Sequence, residues 1–117
     1  MLSGPVIHGD GFGHQLGYPT ANIPVTKAAR HFKPGVYAAI ATLAEKNYAA
    51  ALVIHTNYDK VEAFLIDYVG PDFYDAMITI EPKQRVSGLE KYESHEELKA
   101  KITADVAMVK EYFAHQK

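Results

Sequence analysis

Cysteine is absent from this chain, and with it any disulfide framework or thiolate metal site. The sequence also lacks an apolar run near the roughly 20 residues that a membrane-spanning helix requires. No basic segment followed by an apolar one opens the N-terminus, so neither a membrane partner nor a signal peptide is expected. An excess of either charge is missing too. Lys and Arg number 12 against 14 Asp and Glu, a net charge of −2, which provides no electrostatic footprint for nucleic acid. A chain of this kind is expected in the cytoplasm. Its 117 residues, 48% hydrophobic and 22% charged, suit one soluble globular domain with a single core.

The informative stretch is His8 to Pro24, HGDGFGHQLGYPTANIP. Glycines at Gly9, Gly11, Gly13 and Gly17 let backbone adopt positive φ and approach a ligand closely. Thr20 and Asn22 follow with the two-residue spacing that puts both side chains on one face of a strand. A hydroxyl and an amide oxygen beside a glycine-rich loop suit a hydrated Mg²⁺ with phosphates. Two plainer readings stand beside this one. The glycines also fit a flexible turn, and Thr and Asn near prolines often bond to local backbone. The loop is neither a Walker A motif, since no Gly-Lys-Ser/Thr follows, nor a dinucleotide fingerprint, since His14 occupies the place of the last glycine. His8, Asp10 and His14 suggest a transition-metal cluster only weakly, because no second cluster completes it.

Beyond this segment the pattern is extended. Residues 3–8 and Thr20–Pro24 read as two short strands. Val36–Leu43, Tyr48–Ile54, Val61–Tyr68 and Ala76–Val86 read as four longer ones. Turns at Glu45-Lys46-Asn47, Thr56–Lys60 and Gly70-Pro71-Asp72 separate them. The spacing is that of antiparallel hairpins rather than βαβ units. Several strands are apolar on both faces, as in AAALVI at 49–54, which suggests a small closed barrel with its outer wall covered. The alanines fit a narrow interior or a wall beneath another element. Ser94-His95-Glu96-Glu97 has capping-box spacing. Leu98, Ile102, Val106, Val109 and Phe113 then form one apolar stripe on a helix reaching about residue 115. The expected fold is therefore mainly β: a closed antiparallel barrel over about residues 3–88, with one C-terminal helix over about 94–115. Glu62 would share its strand face with Phe64, Ile66 and Tyr68. That marks it either as a functional carboxylate or as a solvated strand end. Tyr37, Tyr48, Tyr68, Tyr74 and Tyr92 read as barrel and rim residues.

The segment HGDGFGHQLGYPTANIP resembles the signature of riboflavin kinases, including the kinase modules of bacterial bifunctional FAD synthetases. GVY at 35–37, VEAFLIDY at 61–68, DFY at 72–74 and KYESHEELKAKITADV at 91–106 occur in the family's order. The resemblance implies one riboflavin kinase-like domain over residues 1–117, a barrel of about six strands with a C-terminal helix. It implies transfer of the ATP γ-phosphoryl group to the 5′-hydroxyl of riboflavin, giving FMN and ADP. Mg²⁺ would be the cofactor, held with the phosphates by Thr20 and Asn22. Gly9, Gly11, Gly13, His14, Gly17, Pro19 and Thr20 would cradle ATP, and Glu62 would be the catalytic base. Leu89, Tyr92 and Leu98 fall in the region leading into the helix that helps hold the flavin. Phosphoryl transfer to an alcohol needs charge neutralisation, alignment and a proton acceptor, and these residues would supply all three. The chain is expected to act as a monomer, either a stand-alone kinase or an excised module without an adenylyltransferase domain.

The chain departs from the family pattern at three places. Its first 26 residues contain no Lys or Arg, and His14 stands where a basic loop residue is common. The segment IHTNYDKVE from Ile54 to Glu62 is several residues short and lacks the usual glycine after the isoleucine. Asp75 replaces a glycine after DFY, and Ser87 falls where an arginine is common, with Arg85 two residues away as a substitute. These departures motivate an alternative: a degenerate module that binds flavin or nucleotide without catalysis.

Overall fold

The computed structural model describes residues 2–7, 20–24, 31–55, 60–69, 75–89 and 94–115. Six strands, β1 (Leu2–Pro5), β2 (Thr20–Pro24), β3 (Gly35–Leu43), β4 (Lys46–Ile54), β5 (Lys60–Leu65) and β6 (Met77–Ser87), precede one helix, α1 (His95–Ala114). All pairings are antiparallel, in the order β1-β6-β3-β4-β5-β2. The two outer strands curl toward each other. A bridge from Ile7 to Asn22, with the Ile7 amide donating to the Asn22 carbonyl at 2.7 Å, ties them into a nearly closed barrel.

Strand alternation sorts the side chains into two cores. Inside the barrel lie Ile23, Leu52, Ile54, Leu65, Ile78 and Ile80, with Ala39, Ala41, Ala50 and Ala63 where the interior narrows. On the outer wall Val36, Ala38, Ala51, Phe64 and Ile66 pack against Ile102, Val106 and Val109 of α1. The alanines thus serve both expected purposes, and each large apolar side chain removed from water contributes about 1.5–3 kcal/mol. Ser94 caps α1, accepting the Glu97 amide at 3.2 Å, with Glu96 and Glu97 in the first turn where the helix dipole favours acids.

Strand boundaries depart from expectation where backbone geometry intervenes. The β3–β4 turn is Ala44-Glu45, not Glu45-Lys46-Asn47, because Leu43 pairs with Lys46. Both turn residues have positive φ, 50° and 68°, the twist a two-residue hairpin requires. β5 stops at Leu65 rather than Tyr68, and Asp67 takes φ 62°. That turn breaks the alternation and corrects the expected face of Tyr68. Instead of sharing the outer wall with Glu62, Tyr68 packs on the interior cluster, edge-on to Tyr48. β6 carries two irregularities against β3, one of them at Pro82, where a strand tolerates a residue without an amide proton. No described helix is long and apolar enough to cross a membrane.

Candidate active site

β2 is buried on both sides. Ala21 and Ile23 point into the barrel, so Thr20 and Asn22 occupy the opposite face, and both are buried. Register places Thr20 opposite Phe64 and Asn22 opposite Glu62 on β5. Directly opposed residues on antiparallel strands project to the same side within about 5 Å of each other. Asn22 is 5% exposed, and its Oδ1 has no hydrogen-bond partner among the described residues. An enclosed acceptor of this kind costs on the order of 1–3 kcal/mol unless something donates to it or coordinates it.

Glu62 sits near one end of a row that crosses the outer wall. Asn22, Glu62, Val53, Val36 and Ser87 are successive partners on β2, β5, β4, β3 and β6. Beside Glu62, His55 lies just past the end of β4, its Nε2 2.9 Å from Glu62 Oε1. At the far end of the row, the Lys101 ammonium donates to Ser87 Oγ and to Asp105 Oδ1, the latter at 2.6 Å. Lys101 and Asp105, one turn apart on α1, are both buried. The two polar ends of the row flank an apolar middle on which the helix rests.

Of the residues singled out in the sequence, Thr20, Asn22 and Glu62 come together on one face. Leu98 packs half-buried against the cluster beneath α1, and Leu89 lies exposed beyond β6. Gly9, Gly11, Gly13, His14, Gly17, Pro19 and Tyr92 lie outside the described residues, as do His8, Asp10 and Tyr74. Arg85, the expected substitute for an arginine at position 87, reaches the β3 entry, and a second cation meets Ser87. The Arg85 Nε donates to the Pro34 carbonyl at 3.1 Å, and the cation that reaches Ser87 is Lys101. Asp75 has φ 69°, a backbone state that explains why glycine suits this position. Sequence reasoning passed over His55 and Lys101. A histidine diagonal to Glu62 across a short hairpin was one available signal, and the i,i+4 spacing of Lys101 and Asp105 beside the apolar stripe was another.

Thr20 and Asn22 offer a hydroxyl and an amide oxygen, hard donors that suit a cation such as Mg²⁺, with the Glu62 carboxylate opposite Asn22. The orphaned Asn22 Oδ1 fits such a group, because coordination would satisfy it. No cluster of three or more His, Cys, Asp or Glu forms among the described residues.

Comparison with known proteins gives one consistent answer. The family model described as flavokinase, riboflavin kinase, matches residues 1–113. The bifunctional riboflavin kinase/FMN adenylyltransferase of Escherichia coli is 33% identical over 119 residues, covering 96% of this chain and 37% of that protein. Its namesake from Bacillus subtilis is 31% identical over 124 residues, covering 98% of this chain and 39% of that protein. The chain therefore spans well under half the length of these bacterial relatives. The crystal structure of riboflavin kinase from Trypanosoma brucei superposes with a TM-score of 0.75 at 25% identity, covering 97% of this chain and 76% of that one. With its match running over nearly all of the barrel and helix, this chain belongs to the riboflavin kinase family.

Proposed function

We propose that this domain transfers the γ-phosphoryl group of ATP to the 5′-hydroxyl of riboflavin, with Glu62 as base and with Thr20 and Asn22 holding Mg²⁺ and the nucleotide phosphates. The observation that carries this reading is the pairing of Glu62 with Asn22, whose buried Oδ1 has no partner among the described residues. When bound, Mg²⁺ would supply charge neutralisation at the phosphates. Glu62 would accept the proton of the ribityl hydroxyl as that oxygen bonds to the γ-phosphorus. The bond from the γ-phosphorus to the β,γ-bridging oxygen then breaks, leaving ADP and FMN. Thr20 and Asn22 would fix the phosphates relative to the hydroxyl, and most of the catalysis in such a reaction is this alignment.

Family membership and the coverage of a solved riboflavin kinase support the reading. The test is to incubate the protein with riboflavin, ATP and Mg²⁺ and to separate the flavins chromatographically. FMN formation that depends on Glu62 is expected. Absence of FMN sinks the kinase reading, and tight riboflavin binding without turnover would instead favour a binding module.

A further inference from the structure

We propose that His55 is the positioning residue for Glu62, donating from Nε2 to Oε1 so that Oε2 is aimed at the substrate hydroxyl. The inference rests on the reading of Glu62 as base. Three observations support it. The Nε2 to Oε1 distance is 2.9 Å, well inside hydrogen-bond range. A carboxylate acting as base only accepts, so this role requires the ring proton on Nε2. No described residue bonds to Oε2, which leaves that oxygen available for a proton. The pair also spans the edge of the surface, with the carboxylate side chain 16% exposed and the imidazole 38% exposed.

The geometry of the hairpin makes the contact specific. Ile54 opposes Val61 and Val53 opposes Glu62, so His55 continues β4 on the same face as Val53 and stands diagonally across from Glu62. A glutamate on a strand has three side-chain torsions to restrain. Its backbone is set by pairing on both sides, to Asn22 and to Val53. Among the described residues, the side-chain contact that restrains it is His55. A fixed donor on one oxygen holds the carboxylate plane and so the direction of the other oxygen, the same role a carboxylate commonly plays for a catalytic imidazole. The plain competitor is an ordinary half-exposed His–Glu contact, which adds little to stability and nothing to catalysis.

The two are separated by kinetics and by the ring's proton. His55→Phe keeps a planar ring without a donor, and His55→Gln keeps a donor nitrogen at a similar reach. His55→Phe is expected to lower kcat by about tenfold or more, the loss typical of one hydrogen bond to a charged group. Both KM values should stay within about twofold, since substrate binding is untouched. His55→Gln should recover most of the rate, and His55→Phe should cost nothing further once Glu62→Gln is present. Equal kcat for His55→Phe and the parent, equal loss in both His55 variants, or independent effects in the double variant would each overturn the proposal. If Glu62→Gln itself turns over normally, the base reading fails and the His55 role with it. If Glu62→Gln is inactive while His55→Phe is normal, only the His55 role fails. A readout free of turnover comes from the ¹⁵N spectrum of the imidazole in the parent protein. A proton on Nε2, with a shift that moves on Glu62→Gln, is expected; a neutral ring protonated only on Nδ1 overturns the proposal.

Discussion

Asn22 and Glu62 face each other across the β2–β5 pair, 40 residues apart in the chain and adjacent on the outer wall of the barrel. One supplies an enclosed amide oxygen with no partner among the described residues, the other a carboxylate tied to His55. Both side chains lie on the outer face of the sheet, opposite the face that carries Ala21, Ile23 and Ala63 into the barrel interior.

Glu62→Gln should separate function from stability. The neutral amide still accepts from His55 but takes no proton, so kcat for FMN formation is expected to fall about a hundredfold or more. The thermal midpoint should move by less than about 2 °C, because a half-exposed ion contact contributes little. A large drop in midpoint would make Glu62 a structural residue.

Asn22→Ala removes an acceptor that has no partner among the described residues, so folding stability should stay level or rise slightly. Affinity for Mg-ADP, measured by calorimetry, should weaken about tenfold or more if the amide oxygen meets the metal or phosphates. Unchanged nucleotide affinity would remove Asn22 from the site.

Lys101 and Asp105 are both buried, so breaking the pair strands a charge. Lys101→Met alone should cost about 3–5 kcal/mol in urea unfolding, while Lys101→Met with Asp105→Leu should recover most of that. The single substitution should be the worse of the two. The reverse order would mean that the ion pair itself, rather than the penalty for an unpaired ion, stabilises the seat of α1.

The β3–β4 turn holds Ala44 and Glu45 at φ 50° and 68°. Each L-residue with a Cβ in that region costs about 1–2 kcal/mol relative to glycine, and asparagine less. Replacing the pair with Asn-Gly should therefore raise stability by about 1 kcal/mol, or roughly 4 °C in thermal midpoint. Kinetics should not change, since the turn caps the end of the hairpin opposite His55 and Glu62.

Most elements were legible because their signals are local. Thr20–Pro24 was bounded correctly by its flanking prolines and alternation, and α1 by Ser94 and the stripe from Leu98 to Phe113. The shared face of Thr20 and Asn22 followed from a period of two. Errors came where one residue's backbone state mattered. Asp67 turned Tyr68 inward, and Leu43 paired with Lys46 one step earlier than the polar residues suggested. The contact of Lys101 with Ser87 was not legible, because the helix delivers that cation from 14 residues away.

The amino-acid sequence by itself determined the strands, the capped helix, the family and the pairing of Thr20 with Asn22 on one face. Each of these rests on side-chain periodicity, a cap or a contiguous motif, which act over a few residues. Only the tertiary structure decided that Asn22 opposes Glu62, that His55 holds Glu62, and that Lys101 meets Ser87. Those contacts depend on register across strands and on where the helix seats. Register is set by the whole barrel at once, through closure and the burial of one face of every strand.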